Sequence, residues 1–563
     1  MKRHTRDNYY VLGEGILTTE HGEAVCERPS TEASLRKFRF SRLGPKGEAI
    51  DPDLLEKIAL AMTKKPEDGQ TDPVSADPPV PAGYTYLGQF VDHDLTLDNT
   101  AKSLGENVTV NELLQGRSPS LDLDTVYGRG PQDPEDDKFY APDHVKLKVG
   151  LTAAVAGAGT NLNLNGYDLP RVTQGSTKAE RQAALMPDHR NDENLVVAQT
   201  HLAFLRFHNK VVDSLADKGV PTAVLFERSR DKVVRHYQWL LRHDFLPRIV
   251  DNAVLDDVFA NGRKFFEVPA ADHSRYFHQK PGDRPTMPIE FSIAAYRLGH
   301  SMVRAAYNWN RIFANGRGTL PFLFIFSGTS GNFDPFGADI NDPESGLFER
   351  LPTNWTVDWR RLYDFVGEAG RADLVAPDSG LNLAQRIDTL LVDPLATLPK
   401  GTFGGIGKDV PARELNLAFR NLVRANMVSL ASGQQMAEFM GLDPLKPQDI
   451  IGGAGGALLD GLSQEEQAAF ASKTPLWFYI LREAELHSGR LTGVGGRIVA
   501  EVFHRAMEGS RISIVRDPYW RPDLGPDEDT FRMVDLLLFT FDGKSELLAP
   551  LGDVAPPPPA PPA

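Results

Sequence analysis

Residues 193–215 read ENLVVAQTHLAFLRFHNKVVDSL, with apolar side chains returning every three to four positions. That is the spacing of a helix that buries one face. It recurs outward in both directions. Upstream, residues 86–97 read YLGQFVDHDLTL; downstream come 221–245, 289–307, 412–430, 476–486 and 495–507. Pro221 suits a first helical position, where a missing N–H costs nothing. Alternating, strand-like runs are few and short. The predicted fold is therefore mainly α, a single large helical domain with few short strands. It runs over about 81–550, since no linker of convincing length divides the middle. Residues 1–80, polar and rich in helix breakers, read as an arm wrapped on the surface. Residues 551–563, ending APPPPAPPA, read as a mobile Pro/Ala-rich tail.

The chain has 563 residues, 41% hydrophobic and 24% charged, with a net charge of −15. This is ordinary globular composition. The acidic balance argues against nucleic acid as a partner, because binding its backbone needs a basic stripe. No run of about 18 apolar residues suggests a membrane span. The start, MKRHTRDNYYVLGEG, lacks the apolar core of a secretory signal. Cys26 is the single cysteine, so neither an internal disulfide nor a Zn–Cys cluster can form. These features lean towards a cytoplasmic protein, or one exported without a cleaved signal.

Two glycine-rich stretches read as loops. GTFGGIGKD, from Gly401, fails the phosphate-loop pattern at Thr402 and at Asp409. GGAGGALLDG, from Gly452, lacks the preceding strand that a dinucleotide fingerprint requires.

Four stretches could carry chemistry. In GQFVDHDLTLD, 88–98, Gln89 and His93 lie one helical turn apart on one face. Asp92 and Asp94 flank His93 and point to either side of it. A buried core histidine in an acidic helix is the plainer alternative. SPSLDLDTVYG, 118–128, alternates Ser118, Ser120, Asp122 and Asp124. This oxygen-rich set suits a hard cation such as Ca²⁺, and Asp94 would complete it; a solvated acidic turn looks the same. DHRNDENL, 188–195, opens the long helix with Arg190 and Glu193 three apart. The helix dipole alone can account for Glu193, whereas an arginine at that end hints at an anion. In FSIAAYRLGHSMVR, 291–304, Ala295 and Gly299 leave room for a flat ligand near His300, with Arg297 on the same side. His201, His208, His236 and His243 have large apolar or basic neighbours and read as packing or capping residues. Asn421, in LNLAFRNLVRA, is an amide in an apolar and basic helix and needs a partner.

In this order, GQFVDHD, SLDLDTVYG, RNDE, YRLGH and the asparagine of FRNLVRA resemble the animal-type haem peroxidases, the family of myeloperoxidase and lactoperoxidase, in a bacterial, disulfide-free form. LRHDFLP, 241–247, resembles the family's segment between distal arginine and proximal histidine, and the likeness spans about 86–430. It implies His93 as distal base, Gln89 as its hydrogen-bonding neighbour and Arg190 as distal arginine. It implies His300 as iron ligand and Asn421 as acceptor of the His300 Nδ1 proton. The cofactors implied are haem b and Ca²⁺, the latter held by Asp94, Ser118, Ser120 (through its carbonyl), Asp122 and Asp124. Asp92 and Glu193 match carboxylates that esterify haem in mammalian members. Asn194 stands where myeloperoxidase has the methionine of its sulfonium link, which excludes that bond.

The implied activity is oxidation of small donors (phenols, halides or thiocyanate) by hydrogen peroxide, with His93 moving the proton and Arg190 stabilising developing negative charge. One alternative is a haem fatty-acid dioxygenase of the same superfamily, which needs a tyrosine three residues before the proximal histidine. Arg297 occupies that position and could pair with a haem propionate; Tyr296, one residue off, would point elsewhere on a helix. The alternative from another class is a calcium-stabilised, non-catalytic binding protein.

Overall fold

Helices form where the three-to-four spacing runs, and they dominate the computed structural model of the chain. It describes residues 38–64, 79–100, 102–157, 159–268, 285–328, 348–398 and 410–554, and four short strands between Tyr9 and Ala24. Seven helices matter here: α1 Pro52–Met62, α2 Gly83–Leu95, α3 Leu195–Asp217, α4 Thr222–Leu240, α5 Leu417–Met427, α6 Leu476–Leu486 and α7 Gly493–Gly509. Strands among the described residues pair only two by two. The chain is mainly α.

Local chemistry sets the helix starts. The Asn194 side chain accepts from Val197 N at 3.0 Å and caps α3; Asn416 does the same for α5 through Phe419 N at 3.1 Å. Each cap satisfies an amide that a helix start leaves without a partner. Pro221 stands one place earlier than expected, as the extended residue before α4.

α3 and α4 form a hairpin, and α2 lies against α3. Phe90 of α2 stacks on Phe204 of α3 at 4.6 Å, and Tyr237 of α4 meets both rings edge-on. Burying each such ring contributes roughly 1.5–3 kcal/mol. α4 then runs on through a widened turn, Leu241–Phe245, into the short helix Leu246–Ile249.

α1 lies inside the stretch expected to be a surface arm, yet it is part of the core. Leu55, Ile58, Ala59 and Met62 are buried, α1 packs along α5, and Asn416 Nδ2 donates to Thr63 Oγ1 at 2.9 Å. A short apolar face sat there amid polar, breaker-rich sequence. Cys26, the stretch 401–409 and the tail from 555 on lie outside the described residues.

The other glycine-rich loop has an internal use. Ala454 N and Gly456 N donate to Glu485 Oε1 of α6 at 2.5 and 3.0 Å, and Arg482 Nη1 pairs with the same oxygen at 2.6 Å. Its amides cradle the chain's own carboxylate, as anion-binding backbone concavities do. α6 and α7 approach closely because position 495 is glycine: a Cβ there would stand 2.5 Å from Ile480 Cγ2. Glu483 of α6 accepts from Val494 N and Gly495 N at 3.2 and 3.1 Å, capping α7, and burial pushes its carboxyl up to about 7.

The helix expected over 289–307 is not one helix. Glu290–Ala294 is wound wide, Ala295–Leu298 tight, and only Gly299–Met302 is α-helical, before extended Ala306–Tyr307. Tertiary anchors override the helical period here. Glu290 accepts from Leu43 N and Gly44 N at 2.9 and 3.1 Å, and Arg297 Nε bonds back to Ser292 O at 3.1 Å.

Candidate active site

A cavity of about 490 Å³, open at its mouth, lies between α2 and the 290–302 segment. Gln89 and Asp92 line one wall, Arg297 and His300 the other, and Tyr84 and Tyr296 both border it. A Cβ on Gly299 would meet nothing within 4 Å, so the backbone beside His300 is open, as its small neighbours predicted.

On the α2 side, a chain of hydrogen bonds fixes His93. Burial pulls His201 down to about 3, so its ring is neutral. Asn191 Nδ2 faces His201 Nδ1 at 3.0 Å, and Asn191 Oδ1 faces His93 Nδ1 at 2.8 Å. An amide donating to His201 turns its oxygen to His93, which must then carry its proton on Nδ1. The lone pair stays on Nε2, buried without a hydrogen-bond partner and 3.4 Å from Glu193 Oε1. His93 itself does not line the cavity. Gln89, which does, reaches it through Glu193, to whose Oε1 its amide donates. Asn194 Nδ2 donates to Gln89 Oε1 at 3.0 Å. The Gln89 amide, expected to hold a water or halide, is thus engaged by side chains at both ends.

Arg190 sits in a tight turn, His189–Asp192, ahead of α3 rather than in it. The anion it serves here is Asp188: Nε and Nη2 reach its two oxygens at 3.1 and 2.8 Å, while Nη2 also donates to His93 O at 2.9 Å. Arg117 Nη2 pairs with the same carboxylate at 2.5 Å. Burial alone would raise the Asp188 carboxyl, but the two guanidiniums hold it well below the usual range. Asp188, Asn191 and Arg117 were not singled out from sequence. The signal available was their place beside Arg190 and Ser118.

Arg117 leads into the oxygen-rich loop. Asp94 accepts from Leu123 N at 3.2 Å and from Thr125 N and Oγ1 at 3.3 Å, so the loop does meet α2. Leu123 turns it with a left-handed φ of 58°. Burial, then Asp124, push the Asp94 carboxyl up to about 8. Ser118 Oγ and Ser120 Oγ are 2.8 Å apart, and Ser120 Oγ donates to Asp122 Oδ2 at 2.9 Å. Asp122 also accepts from Arg511 N at 2.9 Å. Among the described residues no three acidic, imidazole or thiolate groups converge as a metal cluster. A cation here would therefore draw on serine and backbone oxygens beside Asp94.

On the opposite wall His300 is buried, and its Nδ1 lies 2.8 Å from Asn421 Nδ2. Arg297 Nη1 donates to Asn421 Oδ1 at 2.5 Å. This reverses the expected direction: a guanidinium has only donors, so it claims the amide oxygen and leaves the NH₂ facing the imidazole. Tyr296 also differs from expectation. The changes of winding turn it into the cavity wall, where its phenol is buried with no partner among the described residues. The other histidines behave as structural groups. His208 lies between Tyr127 OH at 3.0 Å and Val145 O at 2.9 Å, His236 Nδ1 is 2.8 Å from Lys232 O, and His243 stacks on Trp239.

Residues 98–321 match the animal haem peroxidase family. That stretch of the chain is an animal haem peroxidase domain. The matched stretch holds the 118–124 loop, Arg190, Glu193, Arg297 and His300; α2 and Asn421 lie outside it. A "Peroxidase-like protein" of Margaritifera margaritifera is 32% identical over 123 residues, 22% of this chain. The match spans only 14% of that relative's length. Peroxidase A from Dictyostelium discoideum shares the fold, with a TM-score of 0.53 and 15% identity over 92% of this chain and 96% of that one. A fatty acid α-dioxygenase of Arabidopsis thaliana aligns over 98% of this chain and 87% of its own, at 12% identity and a TM-score of 0.49. The family is one of haem proteins. Three buried atoms on the α2 side suit such a group: Asp92 Oδ2, His93 Nε2 and Glu193 Oε2 all lack a hydrogen-bond partner. Buried polar atoms ordinarily have one. No helix among the described residues is long and apolar enough to cross a membrane.

Proposed function

We propose that this haem peroxidase family member is a peroxidase that reduces hydrogen peroxide with electrons from small donors such as phenols, halides or thiocyanate. One observation carries the reading: the unpartnered, buried Nε2 of His93 stands behind Gln89 and Glu193 on the α2 side, and His300 lines the opposite wall of the cavity. Haem, when bound, supplies the iron and the redox capacity that no side chain here has.

His93, its proton parked on Nδ1 by Asn191, has a free lone pair on Nε2 to take a proton from peroxide and return it to the departing oxygen. Arg190 keeps its charge and sits within electrostatic reach of Asp92 and Glu193, where it can offset negative charge. His300 would hold the iron. Binding through Nε2 requires the proton on Nδ1 and an acceptor there, so Asn421 must present Oδ1. An anionic partner for Arg297, such as a haem propionate, would free that oxygen. Asp92 and Glu193, each with one unpartnered oxygen, are the carboxylates available for ester links. Calcium is proposed at Asp94, Ser118, Ser120, Asp122 and Asp124, because a divalent cation would relieve the mutual repulsion around buried Asp94.

A second reading, the fatty-acid dioxygenase, is favoured by one fact: the Tyr296 phenol stands in the cavity wall. A single set of measurements separates the two. The peroxidase should show a Soret band, about one calcium per chain, peroxide-dependent oxidation of phenol and no oxygen uptake with polyunsaturated fatty acid. Oxygen uptake yielding a single hydroperoxide isomer, abolished by Tyr296→Phe, would replace it with the dioxygenase.

A further inference from the structure

We propose that Tyr84 is an electron relay, through which bulky phenolic donors at the surface beside Glu368 and Arg248 are oxidised without entering the cavity, and that Asp244 takes its proton. The inference rests on the peroxidase reading above.

Tyr84 borders the cavity, but its hydroxyl faces a charged cluster. It donates to Asp244 Oδ2 at 2.8 Å and lies 3.2 Å from Glu368 Oε2. The Arg248 guanidinium lies 3.9 Å over the ring. Arg248 bridges both acids, Asp244 at 2.5 Å and Glu368 at 3.0 Å. Met533 N donates to the Asp244 oxygen that Tyr84 uses, at 2.8 Å, and Arg532 holds the Glu368 carbonyl. Asp244 is buried, whereas the Glu368 and Arg248 side chains are 16% and 19% exposed. One aromatic ring therefore spans from the cavity wall to a cluster that reaches solvent.

The chemistry needs this arrangement. A phenol gives up an electron readily near neutral pH only if its proton leaves too. Burial, then Asp244, hold the Tyr84 hydroxyl well above its ordinary range, so it cannot ionise first. A carboxylate at 2.8 Å lets electron and proton depart together. Burial pushes Glu368 up to about 7, placing it to exchange protons with solvent. Tyr296 is the control within the same wall. It stacks on Phe291 at 4.7 Å, and its hydroxyl has no base among the described residues.

In each turn Tyr84 passes one electron to the oxidising equivalent that peroxide leaves in the cavity, and its proton to Asp244. It then takes one electron from the donor and its proton back. Two turns, with two protons from solvent, reduce one hydrogen peroxide to two waters.

The test mixes holoprotein with peroxide, freezes it and reads the tyrosyl signal by electron paramagnetic resonance. It also compares oxidation of free tyramine with that of tyramine grafted to dextran. Tyr84→Phe, which leaves Asp244 its Arg248 and Met533 contacts, should lose the signal and most oxidation of the grafted phenol relative to the free one. Tyr296→Phe should keep both. A signal that survives Tyr84→Phe, or disappears in Tyr296→Phe instead, overturns the relay. A Soret band that responds to peroxide with no tyrosyl signal in the wild type overturns the relay alone; absence of a Soret band overturns the peroxidase reading with it. Should Tyr84→Phe fail to load haem, Glu368→Gln carries the test: slowed oxidation of the grafted phenol supports the relay, and an unchanged rate refutes it.

Discussion

The two walls of the cavity are held in opposite ways. The α2 wall is a regular helix tied down by charge: Asp188 grips Arg190 and Arg117, Arg190 grips the His93 carbonyl, and Asp94 takes the amides of the 118–125 loop. The His300 wall passes through three windings, and neutral groups, an amide and an indole, take part in holding it. Asn421 bridges Arg297 and His300, and the Trp477 indole of α6 donates to Arg297 O at 3.3 Å. A wall locked by buried ion pairs should resist rearrangement, whereas one whose histidine is bridged through a neutral amide can change that hydrogen bond when an anion draws Arg297 away.

The largest effects should come from the two histidines, and they should differ in kind. His300→Ala should purify with little or no haem, while His201→Ala and His208→Ala retain it, as read from the Soret absorbance per protein. His93→Ala should keep haem but react with peroxide more slowly by about 10²–10⁴. Equal haem loss in His93→Ala and His300→Ala would erase the distinction between the walls.

Next come the two anchors. Asp188→Asn leaves Arg190 and Arg117 facing a neutral amide in the interior and should cost about 3–5 kcal/mol in chemical unfolding. Asn421→Ala removes a neutral bridge and should cost about 1–3 kcal/mol. Similar losses for both would mean that charge does not distinguish the walls.

The last effect, read as a slope rather than as a single loss, concerns pH on the His300 side, where Trp477 of α6 braces the wall and Glu483 of the same helix caps α7. The folded pKa of Glu483, about 7, lies above its ordinary 4.5. Its contribution is therefore fully present below pH 4.5 and is lost as pH rises through 7. Glu483→Gln should flatten stability over that window by up to about 1.4 kcal/mol per pH unit. An unchanged slope of midpoint against pH would remove this brace from the comparison.

The sequence by itself determined the helical class, the likeness to the haem peroxidases and part of the cavity lining: Gln89, Asp92, Arg297 and His300. It could do so on the α2 side because regular helix carries period into space: Gln89, Asp92, His93 and Asp94 face the directions that their spacing predicts. Buried α1 escaped that reading, because its short apolar face lay in a polar stretch whose partner, α5, is far away in sequence. Only the tertiary structure decided the other wall. Contacts from distant segments, Leu43 and Gly44 on Glu290 and Asn421 on Arg297, hold it in windings that no local period encodes. It also decided the proton positions: which end of Asn191 meets His93, and which end of Asn421 meets His300, follow from the third residue each amide must satisfy. Hydrogen-bond direction depends on the whole set of partners, and those partners come together only when the chain folds.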